Sequence, residues 1–331
     1  MSSKLAIFPA AGGLGGATLS HLLGTCKFDP SLLVLVARSP SKLEEDRQRG
    51  VTVRKADFDE PASFEGVFEG VQVLNLISYP SFQHKHRFKV SKAAIDAAIS
   101  QGVTHIFYSS LAFSSSTSPD KSPAFSPHVM LAHLDTEACL HSLAKASTPT
   151  SPFSYTVIRQ GLYSESFPVY TANFDLGAAS SSSEQDIRIR IPHNGGGPGI
   201  PWAKRDELGE ATSRLLASYI SNPKAFPHIN ESITLSGPKA YTLSETAEVF
   251  SRATGKTVNI EEVSVDEYVG KKGVGYGSTD TNQSTEMDRL WATAFEGVKR
   301  GEAATVTGDL QKWLGREPEA FEETIRGMLS R

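Results

Sequence analysis

The N-terminal segment Leu5–Leu23 places a glycine-rich turn between an apolar run and an amphipathic pattern, and this order limits the possible folds more than any other feature. Leu5–Phe8 is short and apolar, as in a buried strand of a parallel sheet. Residues 12–16 read GGLGG, and leucines with helical spacing follow. Glycine permits a tight turn close to a phosphate, and the free N–H groups at a helix start attract anions. The segment therefore predicts a strand, a dinucleotide-binding turn and a helix.

The glycines of this turn depart from the usual spacing. Gly13 and Gly16 supply the G-x-x-G half of the two common dinucleotide fingerprints, and Ala10 or Ala11 stands where the first glycine is expected. Glycine clusters also form ordinary loops, but the flanking strand and helix favour a nucleotide site. Contacts to a pyrophosphate are expected from the residues of the turn: Ala10, Gly12, Gly13, Leu14, Gly15 and Gly16.

Composition excludes several classes of protein. The 331 residues can bury a large core, and a net charge of −4 offers no basic surface for nucleic acid. Cys26 and Cys139 lack metal-site spacing and suggest a reducing compartment. The chain begins directly with the first strand, and it contains no apolar run of membrane-spanning length. We expect a cytoplasmic protein without a metal, a membrane or a nucleic-acid partner.

The end of the second predicted strand indicates which dinucleotide is bound. NAD sites usually carry an acidic residue at the end of this strand, which here is Leu32–Ala37. Arg38 follows instead, and its guanidinium could pair with a 2′-phosphate, with Ser39 and Lys42 close by. A solvated basic turn is the alternative. The pattern favours NADP over NAD.

Three further strands complete the nucleotide half of the predicted sheet. After the third, Val51–Lys55, Asp57 and Phe58 could contact the adenine, and Asp59 could cap a helix near Pro61. The fourth and fifth strands end at positions expected to lie near the cofactor: Ser78, Tyr79 and Ser109. Because strands alternate with helical segments, we predict an α/β fold with a doubly wound parallel sheet.

Several runs along the chain carry a family resemblance. The glycine turn, ARSPSKL and AAISQGVTHIFYSSLAF resemble the short-chain dehydrogenase superfamily. The later runs AHLDTEACL, YTVIRQGLYSESF, WAKRDELGEAT, YTLSETAEVFSRATGK and WLGREPEAFEE are similar to its NmrA-like, atypical branch, of the triphenylmethane reductase and quinone oxidoreductase type. The resemblance implies a Rossmann domain that binds NADP, residues 1–163 with a returning segment at about 202–236. It also implies a smaller α/β substrate part, residues 164–331, with a cleft between the two.

The catalytic set of the superfamily is incomplete in this chain. The resemblance places Ser110 at the serine of that set and His133 at the lysine of Tyr-x-x-x-Lys, but Val129 stands at the tyrosine. Without a phenol at that position, the usual proton donor to a carbonyl oxygen is missing. His133 could contact the nicotinamide ribose or donate a proton, with Glu137 orienting its imidazole. Alternatively, His133 and Glu137 form a structural pair.

The sixth predicted strand is Tyr155–Arg159. In related enzymes the loop after this strand passes the nicotinamide, which implies contacts from Gly161, Leu162 and Tyr163. Tyr163 is then the best remaining phenol for substrate contact, or else a structural aromatic residue. The serine- and proline-rich segment 114–127 could be a lid or a tolerated insertion. Aromatic residues that could form a wall for a flat substrate are Phe167, Tyr170, Phe174 and Trp291.

Together these features predict an NADPH-dependent reductase of a conjugated or aromatic small molecule, such as a quinone, enone or imine, in secondary metabolism. Such acceptors spread charge over a π-system and depend less on a dedicated acid. Two alternatives stay open: a non-redox condensation or cyclisation with NADP as a scaffold, and an NADP-sensing regulator without catalysis. The sequence leaves the oligomeric state open.

Overall fold

The computed structural model describes residues 3–114, 125–269 and 281–330. Most of the segment 114–127 therefore lies outside the described residues. Nine strands are formed within the described ranges: β1 (Leu5–Phe8), β2 (Leu33–Ala37), β3 (Thr52–Lys55), β4 (Val73–Ile77), β5 (His105–Leu111), β6 (Ser154–Gln160), β7 (Asp186–Ile191), β8 (Glu231–Leu235) and β9 (Thr257–Glu262).

Seven of these strands form one parallel sheet in the order β3-β2-β1-β4-β5-β6-β8. The chain builds outward from β1 to β3, then returns to the other side of β1 and builds outward again. This reversal between β1 and β4 is the position at which open parallel sheets bind ligands, beyond the carboxyl ends of the strands. The predicted doubly wound α/β fold is confirmed.

Helices cover both faces of the sheet and continue into the C-terminal part. Their bounds in chain order are α1 (Gly13–Gly24), α2 (Glu44–Gln48), α3 (His84–Ser100), α4 (His128–Lys145), α5 (Phe167–Tyr170), α6 (Leu176–Ser181), α7 (Arg205–Ser221), α8 (Leu243–Thr254), α9 (Val265–Val269), α10 (Thr281–Lys299), α11 (Asp309–Leu314) and α12 (Phe321–Leu329). The third of these begins at His84, so that Arg87 lies in its first turn.

Strand residues that are adjacent in sequence bury their side chains on opposite faces, because the side chains of a strand alternate. Leu5 and Ile7 of β1 belong to a core with α1 and α7. Ala6 and Phe8 belong to a second core with α3 and α4. The returning segment supplies α7 to the first of these faces and β8 to the edge of the sheet.

The C-terminal part has its own core. Strands β7 and β9 pair in parallel as a separate two-stranded sheet. Buried aromatic residues, including Phe167, Tyr170 and Trp291, join this sheet to α8, α10 and α12. Within the described ranges, no helix is both long and apolar enough to cross a membrane, and no cluster of three or more His, Cys, Asp or Glu side chains could hold a metal ion.

Candidate functional site

The glycine turn brings α1 against β1 at one position. A Cβ atom on Gly15 would lie 2.2 Å from the carbonyl oxygen of Pro9, so only glycine fits there. A Cβ on Gly16 would meet nothing within 4 Å. The close approach therefore belongs to Gly15, and the Gly13/Gly16 spacing taken from the sequence was wrong by one residue. Gly12, three residues before Gly15, has a φ of 75° and precedes the helix.

The start of α1 is open to a ligand. Among the described residues, no side chain caps this helix, and Gly12 stands at its N-cap. A Cβ on Gly12 or Gly13 would point into empty space. An adjoining cavity of about 440 Å³ is lined by Ala10, Gly12 and Lys42, among others. Unpaired N–H groups at a helix start, beside an open cradle and a lysine, are suited to a phosphate group.

A second cavity, of about 220 Å³, shares Ala11 and Lys42 with the first. Arg38 at its rim is 74% exposed, and its Nε atom lies 4.0 Å from an oxygen of Asp57. Phe58 is nearly fully buried and stacks on Phe8 with ring centroids 4.3 Å apart. Arg38, Ser39 and Lys42 thus lie together around one space, as the sequence predicted, with Asp57 and Phe58 across it.

Tyr79 closes one side of the second cavity. Its hydroxyl donates to Asp59 Oδ2 at 2.6 Å, and His86 Nε2 lies 2.9 Å from the other oxygen of Asp59. Burial, and then the hydrogen bond to Asp59, raise the pKa of Tyr79 to about 12. Asp59 therefore does not cap a helix: the turn Pro61–Phe64 begins after Glu60, and Asp59 holds Tyr79 instead.

A third cavity, of about 210 Å³, lies beyond the carboxyl ends of β4, β5 and β6 and shares Pro80 with the second. Ser78, Ser109, Ser110, Leu162 and Tyr163 all line it. Its outer wall consists of apolar and aromatic side chains from α4, α5 and α10 and from the loop before α3: Phe82, Val129, Val169, Tyr170 and Trp291.

Three residues predicted for this region do not line it. Gly161 packs against the sheet, where an added Cβ would lie 2.7 Å from the carbonyl oxygen of Leu235. Phe174 stacks on Phe250, and Phe167 is buried in the C-terminal core. Tyr170 and Trp291 do line the cavity, with ring centroids 5.3 Å apart. The aromatic wall is thus formed partly by residues other than those expected.

His133 lies at the inner wall, buried between two partners. Its Nε2 atom is 2.7 Å from Nη2 of Arg87, and its Nδ1 atom is 3.1 Å from the hydroxyl of Tyr108. Burial, and then the charges of Arg87 and Arg159, hold the pKa of His133 well below its ordinary value. The imidazole is therefore neutral at neutral pH and is a poor source of a proton.

Glu137 does not orient His133. Its carboxylate accepts a hydrogen bond from Ser110 Oγ at 2.5 Å and pairs with Arg159 Nη2 at 2.6 Å. Ser110 and Arg159 lie side by side on β5 and β6 and face α4, where Glu137 meets them. The predicted pairing of His133 with Glu137 was wrong. The Ser110 hydroxyl also already donates to a carboxylate.

Sequence reasoning missed Arg87. It lies in the first turn of α3 and lines the third cavity, and its Nη2 and Nε atoms lie 2.7 and 3.0 Å from Ser78 Oγ. The signal that could have located Arg87 is its spacing to Val90 and Ala94, which are buried on the same helix face.

The comparisons with known proteins agree on one family. Residues 1–302 match the model of the NmrA-like family. An NmrA-like family domain-containing oxidoreductase of Aspergillus flavus, flvB, is 26% identical over 327 residues, which are 97% of this chain and 93% of that protein. Quinone oxidoreductase 2 of Escherichia coli is 28% identical over 322 residues, or 97% of each chain.

Two solved structures share the fold over nearly their whole length. The NADPH-dependent quinone oxidoreductase QOR2 of Escherichia coli, complexed with NADPH, has a TM-score of 0.72 at 25% identity and covers 98% of this chain and 99% of its own. The Citrobacter sp. triphenylmethane reductase, complexed with NADP(H), has a TM-score of 0.71 at 24% identity, with the same coverage.

Proposed function

Because this chain belongs to the NmrA-like family, we propose that it is an NADPH-dependent reductase of a conjugated or aromatic small molecule, such as a quinone or an enone. The observation that carries the proposal is the continuity of three cavities along the carboxyl edge of the sheet. They run from the glycine turn, past Arg38, to an apolar cavity lined by Tyr170 and Trp291. A dinucleotide laid along this edge would bring its reactive ring to the apolar cavity.

The residues present fit NADP(H). The open cradle at Gly12 and the uncapped start of α1 would hold the pyrophosphate, and Arg38 with Lys42 would pair with the 2′-phosphate. Ser78, Ser109 and Leu162 would line the nicotinamide end. When bound, NADPH supplies a hydride, which is what reduction of a conjugated acceptor requires.

The reacting end is built from both parts of the chain. Ser78 and Ser109 come from the large sheet, whereas Val169, Tyr170 and Trp291 come from the C-terminal part. This supports a division into a nucleotide-binding part, residues 1–163 with the returning segment 202–236, and a substrate-binding part in residues 164–331. Tyr163 lines the cavity between the two and would contact the substrate.

The acceptor is expected to be flat and conjugated. The outer wall of the third cavity is aromatic, and rings of this kind stack on planar ligands. His133 is buried and neutral, and Val129 replaces the usual phenol, so neither of these two positions supplies the acid that an unactivated ketone requires.

Purified protein incubated with NADPH or NADH and a panel of quinones, enones, imines and aliphatic ketones tests the proposal. We expect the conjugated acceptors to be reduced with one NADPH oxidised for each molecule of product, and aliphatic ketones to react negligibly. Product formed at full rate without oxidation of NADPH would point instead to the non-redox alternative. Tight NADPH binding with no product from any acceptor would favour the regulatory one.

A further inference from the structure

One side of the third cavity is a wall of three aromatic side chains. Phe82, Tyr170 and Trp291 all line the cavity, and all three are nearly fully buried. The ring of Trp291 contacts both of the others, with centroids 5.6 Å from Phe82 and 5.3 Å from Tyr170. Trp291 is therefore the central residue of these three, which we call the aromatic wall.

Trp291 is fixed in place by a hydrogen bond and by packing. Its Nε1–H donates to the carbonyl oxygen of Val169 at 2.9 Å, which joins α10 to α5. Behind Tyr170, the ring of Trp202 lies 5.6 Å away, and Trp202 in turn stacks on Phe321 with centroids 5.4 Å apart. Because protein interiors are close-packed, the indole cannot turn aside without breaking these contacts. The aromatic wall is therefore a rigid boundary.

The cavity in front of this wall is small. Its volume is about 210 Å³, whereas pockets that enclose drug-sized ligands have volumes of about 300–1,000 Å³. An apolar protein cavity of about 150 Å³ holds one benzene molecule. The nicotinamide of a bound cofactor would take up part of the volume, at the end lined by Ser78, Ser109 and Leu162. The remainder has room for about one ring.

We propose that Trp291 limits the size of the acceptor, so that the protein reduces conjugated molecules of one ring and discriminates against those with two or more fused rings. The inference rests on the proposed reductase function. An acceptor places its reacting atom against the nicotinamide, and a second ring beyond the first would meet the indole of Trp291. A one-ring quinone takes a hydride from NADPH, which becomes NADP⁺, and a proton from water, and it leaves as the hydroquinone.

This discrimination opposes the usual effect of ligand size. In a spacious apolar cavity, a second ring buries additional apolar surface, and binding becomes tighter. In a cavity that one ring already fills, a second ring forces packed side chains apart, which costs more than the added burial contributes. The order of affinity of a one-ring and a two-ring ligand therefore shows which of the two situations holds.

A binding experiment tests the size limit without turnover. Phenol and 2-naphthol differ by one fused ring, and both are uncharged at neutral pH. Their affinities would be measured by equilibrium dialysis at a saturating concentration of NADP⁺, counting only the naphthol that excess phenol displaces. We expect wild type to bind phenol more tightly than naphthol. Trp291→Leu should reverse this order, with the affinity for naphthol rising about tenfold or more.

Phe295→Leu is the matched control. Phe295 is buried one turn further along α10 and packs on Tyr268 with ring centroids 5.3 Å apart, outside the lining of the cavity. This variant should retain the order of affinity of wild type. Circular dichroism would establish that each variant folds.

If Trp291→Leu does not fold, Phe82→Ala becomes the test. It shortens the same wall from the loop before α3, and it should raise the affinity for naphthol relative to phenol by about tenfold or more. Tighter binding of naphthol than of phenol by wild type would overturn the inference. So would an unchanged order in a folded Trp291→Leu, or unchanged relative affinities in Phe82→Ala when it serves as the test.

Turnover separates the inference from the proposed function. The ratio of kcat/KM for 1,4-benzoquinone to kcat/KM for 1,4-naphthoquinone should fall about tenfold or more in the variant that serves as the test, and stay unchanged in Phe295→Leu. Comparing this ratio between proteins cancels the different intrinsic reactivities of the two quinones. Failure of wild type to reduce any acceptor, with tighter binding of phenol intact, would reject the reductase function but not the size limit. Reduction of both quinones with an unchanged ratio in the test variant would reject the size limit alone.

Discussion

At the scale of single residues, the site depends on which polar partners are already engaged. The sequence resemblance predicts catalytic positions for His133 and Ser110, yet His133 is bonded on both ring nitrogens and Ser110 donates to Glu137. Arg87, from another helix, brings the positive charge to His133, which stands where the pattern has lysine. A lysine at position 133 would place a second positive charge against the guanidinium of Arg87. A neutral imidazole avoids that repulsion and can accept a hydrogen bond instead.

Charge reversal at Arg38 tests the choice of cofactor. Because a guanidinium paired with a 2′-phosphate becomes a repelling carboxylate, Arg38→Asp should weaken NADP binding by about 2 kcal/mol or more. NAD binding should change much less, since NAD lacks that phosphate. Calorimetry with both nucleotides measures the two affinities, and Arg47→Asp, on the neighbouring α2, is the control. Equal losses for NADP and NAD would show that Arg38 does not contact the phosphate.

The Glu137–Arg159 pair predicts a large loss of stability on neutralisation. Both side chains are more than nine-tenths buried, so Glu137→Gln removes the carboxylate that pairs with the buried guanidinium of Arg159. We expect the free energy of unfolding to fall by about 3–5 kcal/mol, as measured in urea. Asp96→Asn breaks the exposed ion pair with Lys92 and should cost less than about 1 kcal/mol. Similar losses in the two variants would contradict this account.

At the scale of secondary-structure elements, the site depends on how closely α1 and β1 approach and on where α3 begins. Gly15 lets the start of α1 lie over the end of β1, which places its N–H groups at the carboxyl edge of the sheet. The first turn of α3 places Arg87 against the end of β4, where Ser78 follows. Both features are determined by the ends of elements rather than by their centres.

A methyl group at Gly15 should disturb the turn. Since the added Cβ would meet a backbone oxygen that cannot move aside, Gly15→Ala is expected to cost about 1–3 kcal/mol of stability and to weaken nucleotide binding. Urea unfolding and calorimetry measure the two effects. Gly24→Ala, at the other end of α1 and with nothing within 4 Å, should leave both unchanged. Normal nucleotide binding by Gly15→Ala would contradict the assigned register of the glycines.

At the scale of the whole molecule, buried histidines couple the stability of the sheet to pH. His105 of β5 stacks on Tyr219 of α7 with ring centroids 4.0 Å apart and lies in the core. Burial lowers the pKa of His105 to about 3, from an ordinary value of 6.5. Burial also lowers the pKa of His133. At pH values below the ordinary histidine pKa of 6.5, the unfolded chain therefore binds more protons than the folded protein.

Stability should accordingly fall as the pH falls. The contribution of His105 is fully present above about pH 6.5 and decreases between there and about pH 3, by about 1.4 kcal/mol per pH unit. The free energy of unfolding in urea, measured at a series of pH values, gives this slope. His105→Gln, which retains hydrogen-bonding capacity at this buried position, should reduce the slope by that amount. An unchanged slope in the variant would show that His105 is protonated in the folded protein.

The sequence alone was sufficient to determine the class of fold and to predict a location for the nucleotide site. Apolar runs alternating with helical patterns were sufficient for the doubly wound sheet, because periodicity and turn chemistry are local properties. Residues 12–16, Arg38 and Lys42 follow strand ends, and in a parallel sheet all such ends lie on one edge. These residues could therefore be placed together without knowledge of the packing.

Only the tertiary structure decided which polar groups bond to one another. The i,i+4 spacing allowed a pairing of Glu137 with His133, but Ser110 and Arg159 reach Glu137 from neighbouring strands, and Arg87 reaches His133 from another helix. The same holds for Gly15, whose role is set by its distance to the backbone of Pro9. Such contacts join residues far apart in sequence or depend on the angle between elements, and a one-dimensional pattern carries neither quantity.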